Sequence, residues 1–171
     1  PLKDIFYAMS HGVNRATLKK GKNDSRIHFL NTLVNKINEI NYDFYGFQNK
    51  EPIWGDDFYK ALINSKMGLN LSRGLPTKYY SSNRIASLMG NGLLTFVDRK
   101  TQLNDIFNKN EIIFYDNIGD LSEKIKFYKN KDSQRRKIAS NGKKKYFKLF
   151  DETTISKYII DKSIGKNTNL F

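Results

Sequence analysis

Residues 70–98 read NLSRGLPTKYYSSNRIASLMGNGLLTFVD, and the fold turns on how this stretch is parsed. The apolar run 67–71 leads into it and a second run, 93–97, ends it; both have the length and bounding turn residues of buried strands. Between them lies a polar, basic and aromatic loop. A short helix follows, opening on Ser81-Ser82-Asn83-Arg84 and closing at Gly90-Asn91-Gly92. Strand, loop, helix start and strand is the layout that presents unpaired backbone N–H groups to an anion. Arg84 sits in the first turn, where a cation opposes the helix macrodipole at a cost of about 0.3–1 kcal/mol. An anion bound beside it removes that cost, so the stretch predicts a phosphate site.

Working outward, residues 4–9 (DIFYAM) read as a first buried strand, followed by a long polar loop over residues 10–24. Asp24 or Ser25 can cap a helix in which Ile27, Leu30, Val34, Ile37 and Ile40 keep helical spacing. Residues 42–47 form a second strand, and a loop with Pro52 and Trp54 leads to a helix over 56–65. Downstream come a short helix over 101–107 and a fifth strand over 111–115. A helix introduced by Gly119 or Asp120 carries Leu121, Ile125 and Tyr128 on one stripe. Residues 133–150 and 153–164 are helical. No repeat or low-complexity linker interrupts the chain. This alternation predicts an α/β, Rossmann-like domain: a mostly parallel sheet, helices on both faces and a helical C-terminus. One domain covers residues 1–165, with a frayed tail at 166–171. Ligands of such sheets bind beyond the carboxyl ends of the strands, near the topological switch point. The loops at 10–22, 47–55 and 72–82 are therefore the candidate walls.

The 171 residues, 39% hydrophobic, suit one globular domain with a core. A formal charge of +13 attracts nucleic acid, anionic lipid or a phosphorylated substrate. Its composition weakens that inference. Lys outnumbers Arg 23 to 7, and Lys belongs to solvated surfaces whereas Arg recognises phosphate bidentately. Abundant Lys, Asn, Ile, Tyr and Phe also follow from AT-rich coding. Cys is absent and His occurs twice, so disulfide scaffolds and cysteine zinc sites are excluded. No carboxylates have ligand spacing, and neither a metal nor a cofactor is expected. No apolar run reaches the roughly 18–20 residues of a membrane span, and no signal-peptide pattern opens the chain. The cytoplasm is the default compartment. The chain starts at Pro1 rather than Met, which reads as a piece of a longer protein.

The ordered motifs resemble a known family. Leu69-Asn70 ending a strand, Asn83-Arg84-Ile85, Met89-Gly90-Asn91-Gly92 and a strand ending in Asp98 are similar to the carboxyl-terminal half of GT-B glycosyltransferases, in the spore-maturation-type branch. Phe107, Glu111 to Tyr115, Asp120-Leu121, Ile125 and the late helix through Ile138-Ala139 to Gly142 extend the likeness over residues 59–160. The resemblance implies a domain that holds the diphosphate of a nucleotide-sugar. It also implies that the partner amino-terminal domain, which binds the acceptor, lies outside this chain, and that this piece alone transfers no sugar. Many retaining relatives carry two Glu residues here, one near the donor sugar and one on the ribose. They align near Tyr79 and Ser87, so ribose recognition by a carboxylate is in doubt and the stereochemical outcome stays open.

The expected donor-phosphate residues are Ser81, Ser82, Asn83 and Arg84, with Arg73, Lys78 and Tyr80 in the preceding loop, where Tyr79 could also stack on a base or sugar. The resemblance adds Ser10, His11, Gly12 and Arg15 after the first strand; no G-x-G-x-x-G fingerprint is present. No catalytic residue is assigned. Against each stands a plainer reading: a serine cap with an exposed Arg, a solvated loop, a solvated His. Trp54, near Phe47 and Pro52, reads first as a core tryptophan and otherwise as the wall for a nucleobase. Lys143, Lys144, Lys145 and Lys148 read as a solvated helical face, with anionic lipid at the inner face of a membrane as the functional alternative. The competing functions are an α/β interaction or signalling domain, for which the first strand lacks an acidic cluster, and a nucleic-acid module, for which no motif spacing appears.

Overall fold

Four consecutive residues of the first strand, Asp4 to Tyr7, are buried, which an α/β protein achieves only for a strand covered on both faces. The computed structural model describes residues 1–10, 17–18, 22–23 and 25–169. Its elements run β1 (Lys3–Ala8), β2 (Thr17–Leu18), β3 (Lys22–Asn23), α1 (Ser25–Lys36), β4 (Tyr42–Tyr45), α2 (Gly55–Ile63), β5 (Ser65–Asn70), α3 (Asn83–Gly90), β6 (Leu94–Asp98), β7 (Ile113–Tyr115), α4 (Ile118–Lys129), α5 (Asp132–Phe150) and α6 (Glu152–Ser163). The main sheet has the order β4-β1-β5-β6-β7, and every pair in it is parallel. Its topological switch point lies between β1 and β5, where the chain first built leftward to β4 and then resumed on the right.

Alternate residues of each strand feed two cores. Ile5, Tyr7, Met67, Leu69, Phe96 and Tyr115 face one side, with Leu30 and Leu33 of α1 and Leu121 and Ile125 of α4. Phe6 faces the other, with Leu62 of α2 and Leu88 of α3. Gly68 makes that second contact close: a Cβ there would lie 2.3 Å from Leu88 Cδ2. The long α5 begins against the first core through Ile138 and ends on the second side, where Tyr146 and Phe150 pack beside Phe107. At the crossing, Gly142 sits so close to the chain before β7 that a Cβ would fall 2.1 Å from the Glu111 carbonyl oxygen.

The α/β architecture is the one expected, with limits shifted by a residue or two. Three readings need correction. Residues 101–107 are not a helix: two single 3₁₀ turns, Arg99–Thr101 and Leu103–Asp105, meet at Gln102, whose φ of 54° breaks helical continuity. Leu103 and Phe107 are both buried in one cluster, and their four-residue spacing imitates a helix. The α1 helix stops at Lys36, while Ile37 and Ile40 continue its apolar stripe from the turn beyond. The polar loop 10–24 contains a small antiparallel pair, β2 with β3.

The amino end of the sheet is closed by Asp4. Its carboxylate meets Lys66 Nζ at 2.8 Å, the Asn41 backbone N–H at 3.0 Å and Lys129 Nζ at 3.2 Å, joining β1, the approach to β4, β5 and α4. Burial alone would push this carboxyl up, but the three donors hold it below the ordinary carboxylate range. Stability from a carboxylate lowered on folding is complete above its unfolded pKa of about 3.9 and is lost as pH falls through the folded value. Asp4→Asn should therefore cost about 1.5–3 kcal/mol at neutral pH, and the difference from the parent in urea unfolding should narrow below about pH 4. Gly142→Ala should cost about 1–3 kcal/mol by overpacking against a carbonyl that cannot move aside; a thermal melt at or above the parent's would refute the crossing geometry.

Candidate functional site

Two strands end side by side at the switch point, and the chain leaves them on opposite faces, β1 toward α1 and β5 toward α3. Arg84, in the first turn of α3, bridges the gap. Its Nε donates to the Ala8 carbonyl at 3.2 Å and its Nη1 to the Leu71 carbonyl at 2.9 Å. The guanidinium also lies over the Tyr7 ring, 4.8 Å from its centroid, an arrangement that suits its flat, weakly hydrated surface. A guanidinium has five N–H donors, and these contacts occupy two of them. Burial lowers the pKa of Arg84, Tyr7 opposes that, and the charge of Arg26 adds to the lowering.

Arg26 is the second cation of the site. It projects from the first turn of α1, is only 5% exposed, and its Nη2 donates to the Ser10 carbonyl at 3.2 Å. Sequence reading passed it over, although the signal used for Arg84 applies equally: a cation in a helix's first turn. At the start of α3, Ser82 holds the N-cap position but makes no side-chain cap bond. Its hydroxyl donates instead to Asn70 Oδ1 at 3.3 Å. That leaves the first-turn N–H groups of α3 without the side-chain acceptor expected there. The Asn70 Nδ2 beneath is buried without a hydrogen-bond partner among the described residues.

A cleft of about 480 Å³ is lined by Ser10, Arg26, Trp54, Tyr59, Asn83, Arg84 and Ser87 with apolar neighbours; Ser82 and Asn70 are outside its lining. Among the described residues no carboxylate lines it. Trp54 is 63% exposed, so the core reading of this residue is wrong and its indole forms part of the cleft wall. Phe47, expected nearby, is buried in the α1 and α4 core instead. The aromatic wall is fixed from below, since Phe58 stacks edge-on against both Phe6 and Tyr59, with ring centroids 5.4 and 5.5 Å apart.

The other expected residues are distributed unevenly. Ser10 and Asn83 line the cleft with Arg84. Arg73, Lys78, Tyr80 and Ser81 are exposed outside its lining. The loop that carries them is tied toward the 3₁₀ turns, where Tyr79 N–H donates to the Thr101 carbonyl at 2.7 Å and Tyr79 Oη to Asp105 at 2.9 Å. His11, Gly12 and Arg15 lie outside the described residues. Lys143, Lys144 and Lys148 are exposed on α5 and Lys145 is half-buried, all outside the cleft lining. A larger hollow of about 770 Å³ beside β7 includes Arg99 and Lys124, but Asp116 and Asp120 already pair with those cations. Among the described residues no helix is long and apolar enough to cross a membrane.

Residues 20–159 match the model of a family described as glycosyl transferase-like. No curated protein matches the chain. Among solved structures, TarM superposes with a TM-score of 0.67 at 14% identity, covering 94% of this chain and 34% of that one. Anabaena Alr3699/HepE in complex with UDP gives 0.64 at 13% identity, covering 94% and 48%. A mutant of S. aureus TarM in complex with Fondaparinux, alpha-GlcNAc-glycerol and UDP gives 0.64 at 15% identity, covering 94% and 35%. The chain thus spans between a third and a half of the structures it matches, and at these identities the likeness is one of fold.

Because Arg84 ties two strand ends, removing it has a structural consequence. Arg84→Ala should lower unfolding stability by about 1.5–3 kcal/mol, the value of hydrogen bonds from a charged donor. Arg84→Lys should lose less, keeping the charge but not the fork that spans both carbonyls. Identical urea midpoints for the parent and Arg84→Ala would remove this bridge from the account.

Proposed function

This chain belongs to the glycosyl transferase-like family, and on that premise we propose that it is the donor domain of a hexosyltransferase, binding the nucleoside diphosphate of a nucleotide-sugar. The observation that carries the reading is the set of groups lining the cleft: two arginines, Asn83 from the first turn of α3, an exposed tryptophan, and no carboxylate among the described residues. A nucleoside diphosphate is complementary to each part. Its phosphates take the remaining guanidinium donors of Arg84 and the first-turn N–H groups of α3, and its base stacks on Trp54. UDP in the HepE and TarM structures supports a nucleotide of that type. The diphosphate charge is met by guanidinium and backbone donors, so the reading requires no metal.

The acceptor, whether a saccharide, a lipid-linked sugar or a protein, is bound on this reading by a further domain of the same protein, and this chain alone transfers no sugar. The compartment in this reading is the cytoplasm, where nucleotide-sugars are made. The exposed lysines of α5 take no part in donor binding; contact with an anionic membrane face is the role they would suit.

Trp54 is the single tryptophan of the chain, so intrinsic fluorescence reports on the cleft alone. UDP or UDP-glucose should change the emission saturably, and Trp54→Leu should weaken binding measured by calorimetry by about 1–3 kcal/mol, the value of base–aromatic stacking. Affinity should fall only shallowly with salt, because few phosphates are neutralised. No response to UDP, GDP or their sugars, together with oligonucleotide binding that survives physiological salt, would replace this reading with a nucleic-acid one.

A further inference from the structure

We infer that Lys124 guards an edge of the sheet, keeping β7 from pairing antiparallel with the β7 of a second copy. β7 stands last in the strand order, so among the described residues one side of its backbone has no strand beside it. The stretch has the composition that pairs edge to edge: Ile112, Ile113, Phe114 and Tyr115 are β-branched or aromatic in succession. Space for a strand is present as well, since the hollow of about 770 Å³ is lined by Ile112, Ile113, Phe114, Lys124 and Tyr128 with neighbours on either side.

The hydrogen bonds that such a strand would need are already taken by α4. Lys124 Nζ donates to the Phe114 carbonyl at 2.8 Å, and the Asp116 N–H donates to Asp120 Oδ2 at 2.9 Å. Alternate residues of a strand turn their backbone groups to the same side. Phe114 and Asp116 therefore face the hollow, and Ile113 and Tyr115 carry the ladder to β6. The Ile112 N–H keeps the same parity, donating to the Asn108 carbonyl at 3.2 Å. Two copies related by a two-fold axis would set Phe114 opposite itself and Ile112 opposite Asp116, each pair exchanging N–H···O bonds. Lys124 occupies the acceptor of the first pair and Asp120 the donor of the second. The two side chains lie one turn apart on α4 and meet at 2.7 Å, so they close the edge as a unit. An incoming strand would have to strip a charged donor from its carbonyl, and charged donors hold more strongly than the amide that would replace them.

Sedimentation equilibrium combined with amide hydrogen exchange by NMR tests this. The parent should keep its monomer mass of 19.9 kDa, with the Phe114 amide exchanging faster than those of Ile113 and Tyr115. Lys124→Ala should move toward twice that mass as concentration rises to about 1 mM, the range of weak association. Its Phe114 amide should slow by roughly tenfold or more as the mass rises. Should the alanine variant melt, Lys124→Met keeps the aliphatic stem and removes only the donor. A folded variant that stays monomeric overturns the inference, and so does association that leaves the Phe114 amide fast. A parent already paired through β7 overturns it too, as does unfolding of both variants, which would make Lys124 part of the packing. Lys124 lies outside the donor cleft, so none of these outcomes bears on the donor reading.

Discussion

The carbonyl oxygens of Ala8 and Leu71 end two adjacent parallel strands, and one guanidinium holds both. Much else follows from that contact. A doubly wound sheet parts at its switch point, because the crossovers on either side run to opposite faces. The parting leaves strand-end carbonyls without ladder partners in a half-buried place, where an unpaired polar group costs roughly 1–3 kcal/mol. Arg84 supplies the donors, stacks on Tyr7 beneath, and so fixes where α3 starts. The same side chain that closes the sheet therefore keeps a positive charge at the mouth of the crevice.

The two ends of the sheet are treated differently. At the amino end Asp4 is surrounded by Lys66, Lys129 and the Asn41 N–H, and its charge is met by three donors. At the carboxyl end Arg84 has carbonyls, phenols and another arginine around it, and among the described residues no carboxylate contributes to its electrostatic surroundings. Most of the +13 formal charge comes from lysines, whereas Arg26 and Arg84 line the cleft.

The periodicity of apolar residues was sufficient to read the alternating strands and helices, and residues 83–90 form a helix with the predicted limits. Arg84 and Asn83 were legible because a first-turn cation and a serine-rich helix start are local signals. Arg26 carried the same signal but was obscured by the apolar stripe of α1, which drew attention to Ile27 and Leu30. Trp54 was misread because aromatic residues in an apolar neighbourhood are usually core; its exposure depends on Gly55, whose φ of 59° turns the chain into α2 and leaves the indole outside. The cap role of Ser82 failed for a similar reason: Asn70, twelve residues earlier, competes for its hydroxyl.

Sequence alone determined what depends on neighbours along the chain: the class of fold, the order of elements, the helix start at 81–84 and an arginine in its first turn. Those properties follow from hydrophobic period, capping chemistry and backbone propensity, which act within a turn or two of helix or a few residues of strand. Tertiary structure decided what depends on strands far apart in sequence becoming neighbours. It set the strand order, brought the ends of β1 and β5 together under Arg84, and turned Arg26 toward the same crevice. It also put Trp54 in the lining of one cleft with residues of α3 and left Arg73 and Lys78 outside it. The physical reason is that a site at a switch point is assembled from loops whose spacing is set by sheet pairing, and sheet pairing leaves no local trace in the residues it brings together.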